Sequence, residues 1–115
     1  MKKFKIFWNF QEEEKWLADM ARNGHILKSY SAFGIYTFVK EVPQELNYKI
    51  DYKMFQKKAD YISYLTLFED AGWKHVWGSR YSGNHYFLPE NGETDTEIFS
   101  DDESAYKRYQ TLSVG

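Results

Sequence analysis

Three histidines, His25, His75 and His85, and two clusters of carboxylates are the side chains best suited to chemistry in this chain of 115 residues. A metal centre needs several nitrogen, sulfur or carboxylate ligands converging on one point. No two of the histidines have the HExxH spacing or one like it. His75 and His85 fall on neighbouring predicted strands, where they would face each other across a hairpin and, with an acidic third ligand, hold a metal. Half-buried packing histidines are the simpler expectation, so no metal is assigned. The run Glu12, Glu13, Glu14 has a sufficient reason in the positive end of a helix dipole. Glu69 and Asp70 lie near the opposite end of a predicted helix, where the dipole disfavours them. That makes Asp70 the more notable of the two, although a solvated helix face accounts for both. Ser29, Ser31, Ser79 and Ser82 lack the GxSxG context of a nucleophile elbow, and the chain has no glycine-rich phosphate loop. No catalytic residue and no cofactor is assigned.

The elements that would position these groups are written twice. In the first half, Phe4, Ile6, Trp8 and Phe10 alternate with Lys5, Phe7 and Asn9 in the period of a strand. QEEEKWLADMARNG then reads as a helix with Trp16, Leu17, Met20 and Ala21 at helical spacing and Gly24 as its stop. HILKSY and GIYTFVKEV follow as a hairpin. After Pro43, NYKIDYK alternates, with Tyr48, Ile50 and Tyr52 on one side and Asn47, Lys49, Asp51 and Lys53 on the other. Residues 59–71 form a second helix with Tyr61, Tyr64, Leu65, Phe68 and Ala71 on its apolar face, and WKHVWGS pairs with NHYFLPE. A shift of 48 residues aligns Trp16 with Tyr64, Leu17 with Leu65, Met20 with Phe68 and Gly24 with Gly72.

One strand-helix-strand-strand unit has too little core to stand alone, whereas two can bury their apolar faces against each other. The expected fold is therefore a single α+β domain of tandem units, about 3–42 and 46–90. It has a mainly antiparallel sheet, continuous or split, with two helices on one face. An extension over 91–115 carries a short strand at Thr96 to Phe99 and a helix capped by Ser100 and Glu103. At fold level this order is similar to the effector-binding domains of GyrI-like proteins, in which a ligand sits between the repeats.

The series EEEKWLADMARNG, IYTFVK, YKIDYK, FEDAGW and TEIFSDDESAYKRY resembles the bacterial domain-of-unknown-function family numbered 2812, over about Phe4 to Tyr109. The resemblance implies a gene often placed beside a PadR-like repressor, and in many members hydrophobic helices after this domain. Such helices are absent here, so this is either a short member or a piece of a longer one, and a membrane link rests on the resemblance alone. Where the family usually has Gly-Trp after its first helix, this chain has Gly24-His25.

Composition sets further bounds. The lack of cysteine excludes disulfides and thiolate chemistry and suits a reducing compartment, so a cytoplasmic location is expected. A net charge of -2 disfavours a generic nucleic-acid binder. A single-stranded RNA-binding sheet built on NYKIDYK is the weaker alternative. Four tryptophans, ten tyrosines and nine phenylalanines are more than one small core hides. Strand alternation puts Trp73, His75 and Trp77 on one face beside Tyr81 and Tyr86, with His25 as the first-half counterpart of Trp73. If that face is open it is a binding surface, and if it lies under a helix it is core. The expected role is a non-enzymatic sensory or adaptor module for a protein partner or small apolar ligand, with a small hydrolase-like enzyme as the alternative.

Overall fold

Asn9 decides where the first helix begins. In the computed structural model, which describes residues 1–31 and 33–90, its side-chain oxygen accepts the Glu12 N–H at 2.8 Å. This cap satisfies a free helix donor and starts α1 (Phe10–Arg22). The expected strand through Phe10 is therefore cut to β1 (Lys2–Phe4), and Phe10 becomes the first residue of the helix. Between these two elements it is Phe7 that is buried, while Phe4, Ile6 and Trp8 are exposed. Helix α1 buries Phe10, Glu13, Leu17 and Ala21, a stripe that includes one of the three glutamates.

The remaining elements are β2 (His25–Ser31), β3 (Ile35–Lys40), β4 (Lys49–Tyr52), α2 (Lys58–Asp70), β5 (Trp73–Trp77) and β6 (Asn84–Pro89). Gly24 and Gly72 follow the two helices with φ of 82° and 92°, the left-handed conformation that glycine adopts without a Cβ clash. Among the described residues all strand pairs are antiparallel. The first sheet has the order β1-β3-β2 and the second β4-β6-β5, so the α+β class expected from the sequence holds.

The sheet is split. Strand β2 carries a bulge between Leu27 and Ser29, and β5 carries one between His75 and Trp77. A bulge bends its strand and increases the local twist. The edge strands β2 and β5 lie near each other without entering one ladder. This changes the expected placement of both helices on one face. Helix α2 covers one side of the second sheet through Tyr64 and Phe68, packed with Phe55, Trp73 and Phe87. The other side of that sheet, carrying Tyr48, Ile50 and Tyr86, joins the cluster formed by α1 and the first sheet, with Leu17, Ala21, Leu27, Tyr30, Tyr36 and Phe38. Each sheet thus has its own helix, and the second is covered on both sides. That double burial uses much of the aromatic content: Tyr86 and Phe87 are adjacent in β6, and both are fully buried.

The outer edge of β4 is closed by α1, since the Ile50 N–H donates to Glu14 Oε2 at 2.9 Å. Glu14 is held above the usual carboxylate range by burial, with the Ile50 bond and the Lys49 charge opposing that rise. Among the described residues, no helix is long and apolar enough to cross a membrane. The strand expected at Thr96 to Phe99 and the terminal helix begun at Ser100 lie outside the described residues.

Candidate functional site

The densest set of groups able to do chemistry lies on the second sheet beneath α2. Asp51 of β4 and His85 of β6 are opposite each other in register, so both side chains face α2. There Tyr64 donates its hydroxyl to Asp51 Oδ2 at 2.6 Å. His75 stands opposite Phe87 on the same face, and its Nε2 lies 3.4 Å from His85 Nδ1. His85 Nε2 is 2.8 Å from the Lys53 carbonyl.

These contacts assign the protons. A carbonyl only accepts, so His85 carries its proton on Nε2 and leaves Nδ1 as an acceptor. His75 then donates from Nε2 and keeps Nδ1 as its own acceptor. Burial, with neighbouring His85 adding to it, pushes His75 down to about 4. Burial also lowers His85, against the opposing effects of the Lys53 bond and the Asp51 charge. Tyr64 is driven upward, first by burial and then by Asp51, so it stays a protonated donor. The pair is therefore a neutral hydrogen-bonded unit near pH 7. A ring with so low a value is a weak base, far from the near-neutral value that suits general-base catalysis. Among the described residues, no group of three His, Cys, Asp or Glu side chains is arranged to hold a metal ion.

Gly78 closes over this pair. It has φ of 153°, and a Cβ built there would stand 2.4 Å from His85 Nδ1 and 2.7 Å from His75 Nε2. Its carbonyl accepts the Tyr61 hydroxyl at 3.2 Å. Replacing Gly78 by alanine is expected to force the two rings apart and to cost about 2 kcal/mol of stability. Chemical denaturation measures that cost, and the imidazole resonances of His75 and His85 report whether the rings moved. An alanine variant with unchanged stability and unchanged resonances would show that the close approach has no consequence.

The residues expected to form one aromatic strip are separated. Trp73 is buried under α2 with Phe55, Tyr64, Phe68 and Phe87, and His75 is half-buried on the same face. Because Val76 is the extra residue of the bulge, Trp77 pairs with Tyr86 and turns to the other face, where it meets Tyr30. The alternation expected for Trp73, His75 and Trp77 thus fails at its last member. Tyr86 is fully buried, so it lies in the core and not on a surface strip. Tyr81 is exposed in the turn before β6, with the Arg80 guanidinium 5.0 Å from its ring centre. His25 opens β2, half-buried and opposite Lys40.

Sequence reasoning missed two buried carboxyl groups. Glu13 is fully buried and accepts hydroxyls from Tyr36 at 2.6 Å and Tyr86 at 2.7 Å, both on Oε2. One side chain of α1 thereby joins the two sheets. The helix dipole explains Glu12, which is exposed, but leaves Glu13 unexplained. The available signal was the spacing of Phe10, Glu13, Leu17 and Ala21, which puts Glu13 on the apolar stripe. Asp51 was expected on the outward side of β4, and alternation gives no signal for a strand that is covered on both faces.

Two depressions flank α2. The smaller, about 280 Å³, is bordered by Leu65, Glu69, Trp73, Lys74, His75 and Glu90. The larger, about 540 Å³, runs between α2 and the segment before it and is lined by Lys53, Met54, Phe55, Gln56, Asp60, Ser63, Tyr64 and Leu67. The Arg80 side chain fastens that segment by donating to the carbonyls of Phe55 and Gln56. No curated protein and no solved structure matches the chain. One family pattern does match it, over residues 9–114. The chain therefore belongs to the family described as Protein of unknown function (DUF2812).

Proposed function

We propose that this domain works by binding and not by catalysis, as a sensory or adaptor module that takes a small apolar ligand or an apolar segment of a protein partner. The observation that carries this reading is the larger groove beside α2. Its volume of about 540 Å³ falls in the range of small-molecule sites. Phe55 and Tyr64 are buried against its inner side, and Met54 and Leu67 stand on its rim with 58% and 55% of their surface exposed. Exposed apolar side chains grouped around a concavity are the usual mark of an interaction site.

The chemistry nearby supports the same reading. Asp51, Tyr64, His75 and His85 are engaged with one another or with the backbone, and the low value of His75 makes a poor base for a hydrolase-like reaction. The two halves of the chain share element order and strand order. Their bulges and their helix-ending glycines recur 48 residues apart, which supports reading them as tandem copies of one unit.

The test uses anilinonaphthalene sulfonate as an apolar probe, with amide chemical shifts reporting where it binds. The wild-type domain is expected to bind the probe and shift the amides of residues 54–56 and 63–67. Leu67→Asp, on an exposed position, is expected to keep its stability and lose about ten-fold in affinity, the equivalent of ~1.4 kcal/mol. Equal affinity in the two proteins, or shifts confined to other surfaces, would remove the groove as the site.

A further inference from the structure

The two helices carry their charges in opposite senses. Helix α1 has Glu12 and Glu13 in its first turn and Arg22 in its last, which suits the positive amino end and the negative carboxyl end of a helix. Helix α2 is reversed. Lys57 stands at its N-cap with no side-chain cap bond, Lys58 opens it, and Glu69 and Asp70 end it with no basic residue in the last turn. Asp60 is the acidic group of its first turn. Among the described residues, ion pairs join Arg22 to Asp19 and Glu45, and Lys49 to Glu14, and none involves Lys57, Lys58, Glu69 or Asp70. Lys58 and Glu69 are separated by roughly 16 Å along the helix axis, too far to pair within one helix.

The outer side of α2 also differs from that of α1. The exposed positions of α1 are Gln11, Glu12, Lys15, Asp19 and Arg22, all polar. Those of α2 include Ala59, Ile62 and Leu67, with Ile62 51% exposed. The Thr66 hydroxyl donates to the Ile62 carbonyl at 3.0 Å, so that residue adds a methyl group and not a free donor to this surface. At about 3.6 residues per turn, Lys58, Ile62, Leu65 and Glu69 fall in one stripe, with Ala59 and Thr66 beside it. The groove described above uses the other side of the helix, through Asp60, Ser63 and Leu67.

Read along α2, the stripe is basic, apolar, apolar, acidic, and it is complementary to itself when reversed. A two-fold axis crossing the helix between positions 63 and 64 sets Lys58 against the partner's Glu69 and Ile62 against the partner's Leu65, and repeats both contacts, as an isologous interface requires. Lys57 and Asp70 extend the same charge order by one residue at each end. Glu69 borders the smaller depression with Glu90 and Lys74, two carboxylates to one ammonium, so that corner favours a further lysine. A partner of a single charge sign would satisfy one end of the stripe and oppose the other. A second copy satisfies both.

We propose that the domain self-associates through this stripe as a two-fold dimer with its α2 helices antiparallel, Lys58 of each copy lying against the partner's Glu69. One helix pair makes a small interface, so the dimer is weak, concentration-dependent and loosened by salt. The surface is separate from the groove beside α2, and neither reading depends on the other.

Sedimentation velocity of the whole chain from micromolar to millimolar concentration tests it, with circular dichroism as the check on folding. The wild type is expected to pass from monomer to dimer over that range and to return to monomer in high salt. Lys58→Glu and Glu69→Lys each place like charges together at both junctions, and each is expected to weaken the dimer by roughly ten-fold. Both changes suit the helix dipole, so neither is expected to lower the melting temperature of the monomer. An equimolar mixture of the two variants restores opposite charges at both junctions and is expected to dimerise as the wild type does. A wild type that stays monomeric throughout, or a dimer that Lys58→Glu leaves at full strength, would overturn the proposal. So would a mixture no more associated than its two components, which would assign self-association to another surface.

Discussion

Replacing Glu13 by alanine is expected to destabilise the domain by about 3–5 kcal/mol, more than the loss expected for Gly78→Ala. The side chain is fully buried, and one oxygen accepts hydroxyls from Tyr36 of the first sheet and Tyr86 of the second. Truncation takes this acceptor from two buried donors at once, and each loss costs about 1–3 kcal/mol because water does not replace it. The cavity left in a stripe shared with Phe10, Leu17 and Ala21 adds to that. Glu13→Gln keeps a carbonyl acceptor and is expected to lose only about 1 kcal/mol. Tyr86→Phe removes one bond to Glu13 and the acceptor for Asn84, at about 1–2 kcal/mol. The combination of Glu13→Ala with Tyr36→Phe and Tyr86→Phe is therefore expected to be more stable than Glu13→Ala alone. Urea denaturation of the four variants gives the comparison. A loss below about 1 kcal/mol for Glu13→Ala would mean that the hydroxyls find other partners at little cost.

What could be read in the sequence follows from which forces are periodic. Helices α1 and α2 announce themselves through Leu17, Ala21, Tyr64 and Phe68 and through the glycines that end them, because helical burial and helix termination both leave marks at fixed spacing. The hairpins follow from turn residues. The failures have a different origin. Alternation assumes a strand with one wet face, but β4 and β6 are covered on both, so Asp51, Asn84 and His85 are buried where a polar residue reads as exposed. The bulge at Val76 breaks the period within one strand, and no residue type in WKHVW signals it. Asn9 was a legible helix cap that the run of alternating aromatics around it concealed. The sequence places His75 and His85 on neighbouring strands, where they could meet across a hairpin, but it carries no sign that they turn inward beneath α2.

That inward direction has a consequence for pH. In the unfolded chain an imidazole titrates near 6.5, whereas in the folded domain burial holds His75 down to about 4 and lowers His85 as well. Between these values the unfolded chain binds more protons than the folded one, so the contribution of His75 is complete above about 6.5 and is lost as the pH falls towards about 4. The ideal slope is ~1.4 kcal/mol per pH unit for each ring. Partial exposure of His75 allows screening, which leaves a loss of about 2–3 kcal/mol from that ring across the interval, and His85 acts in the same direction. Protonating His85 in place would also remove Nδ1, the acceptor that joins the rings 3.4 Å apart, whereas protonating His75 would put a positive charge on a half-buried ring. Acidic residues titrate in the lower part of the same range, so the wild-type curve alone does not identify the histidines. His75→Gln does, because its amide can still donate to His85 Nδ1 while carrying no titrating group. Its stability is expected to fall less steeply than that of the wild type between about pH 6.5 and 5, where few carboxylates change charge. Parallel curves for the two proteins in that window, measured by denaturation at each pH, would show that His75 titrates as freely in the fold as in the open chain.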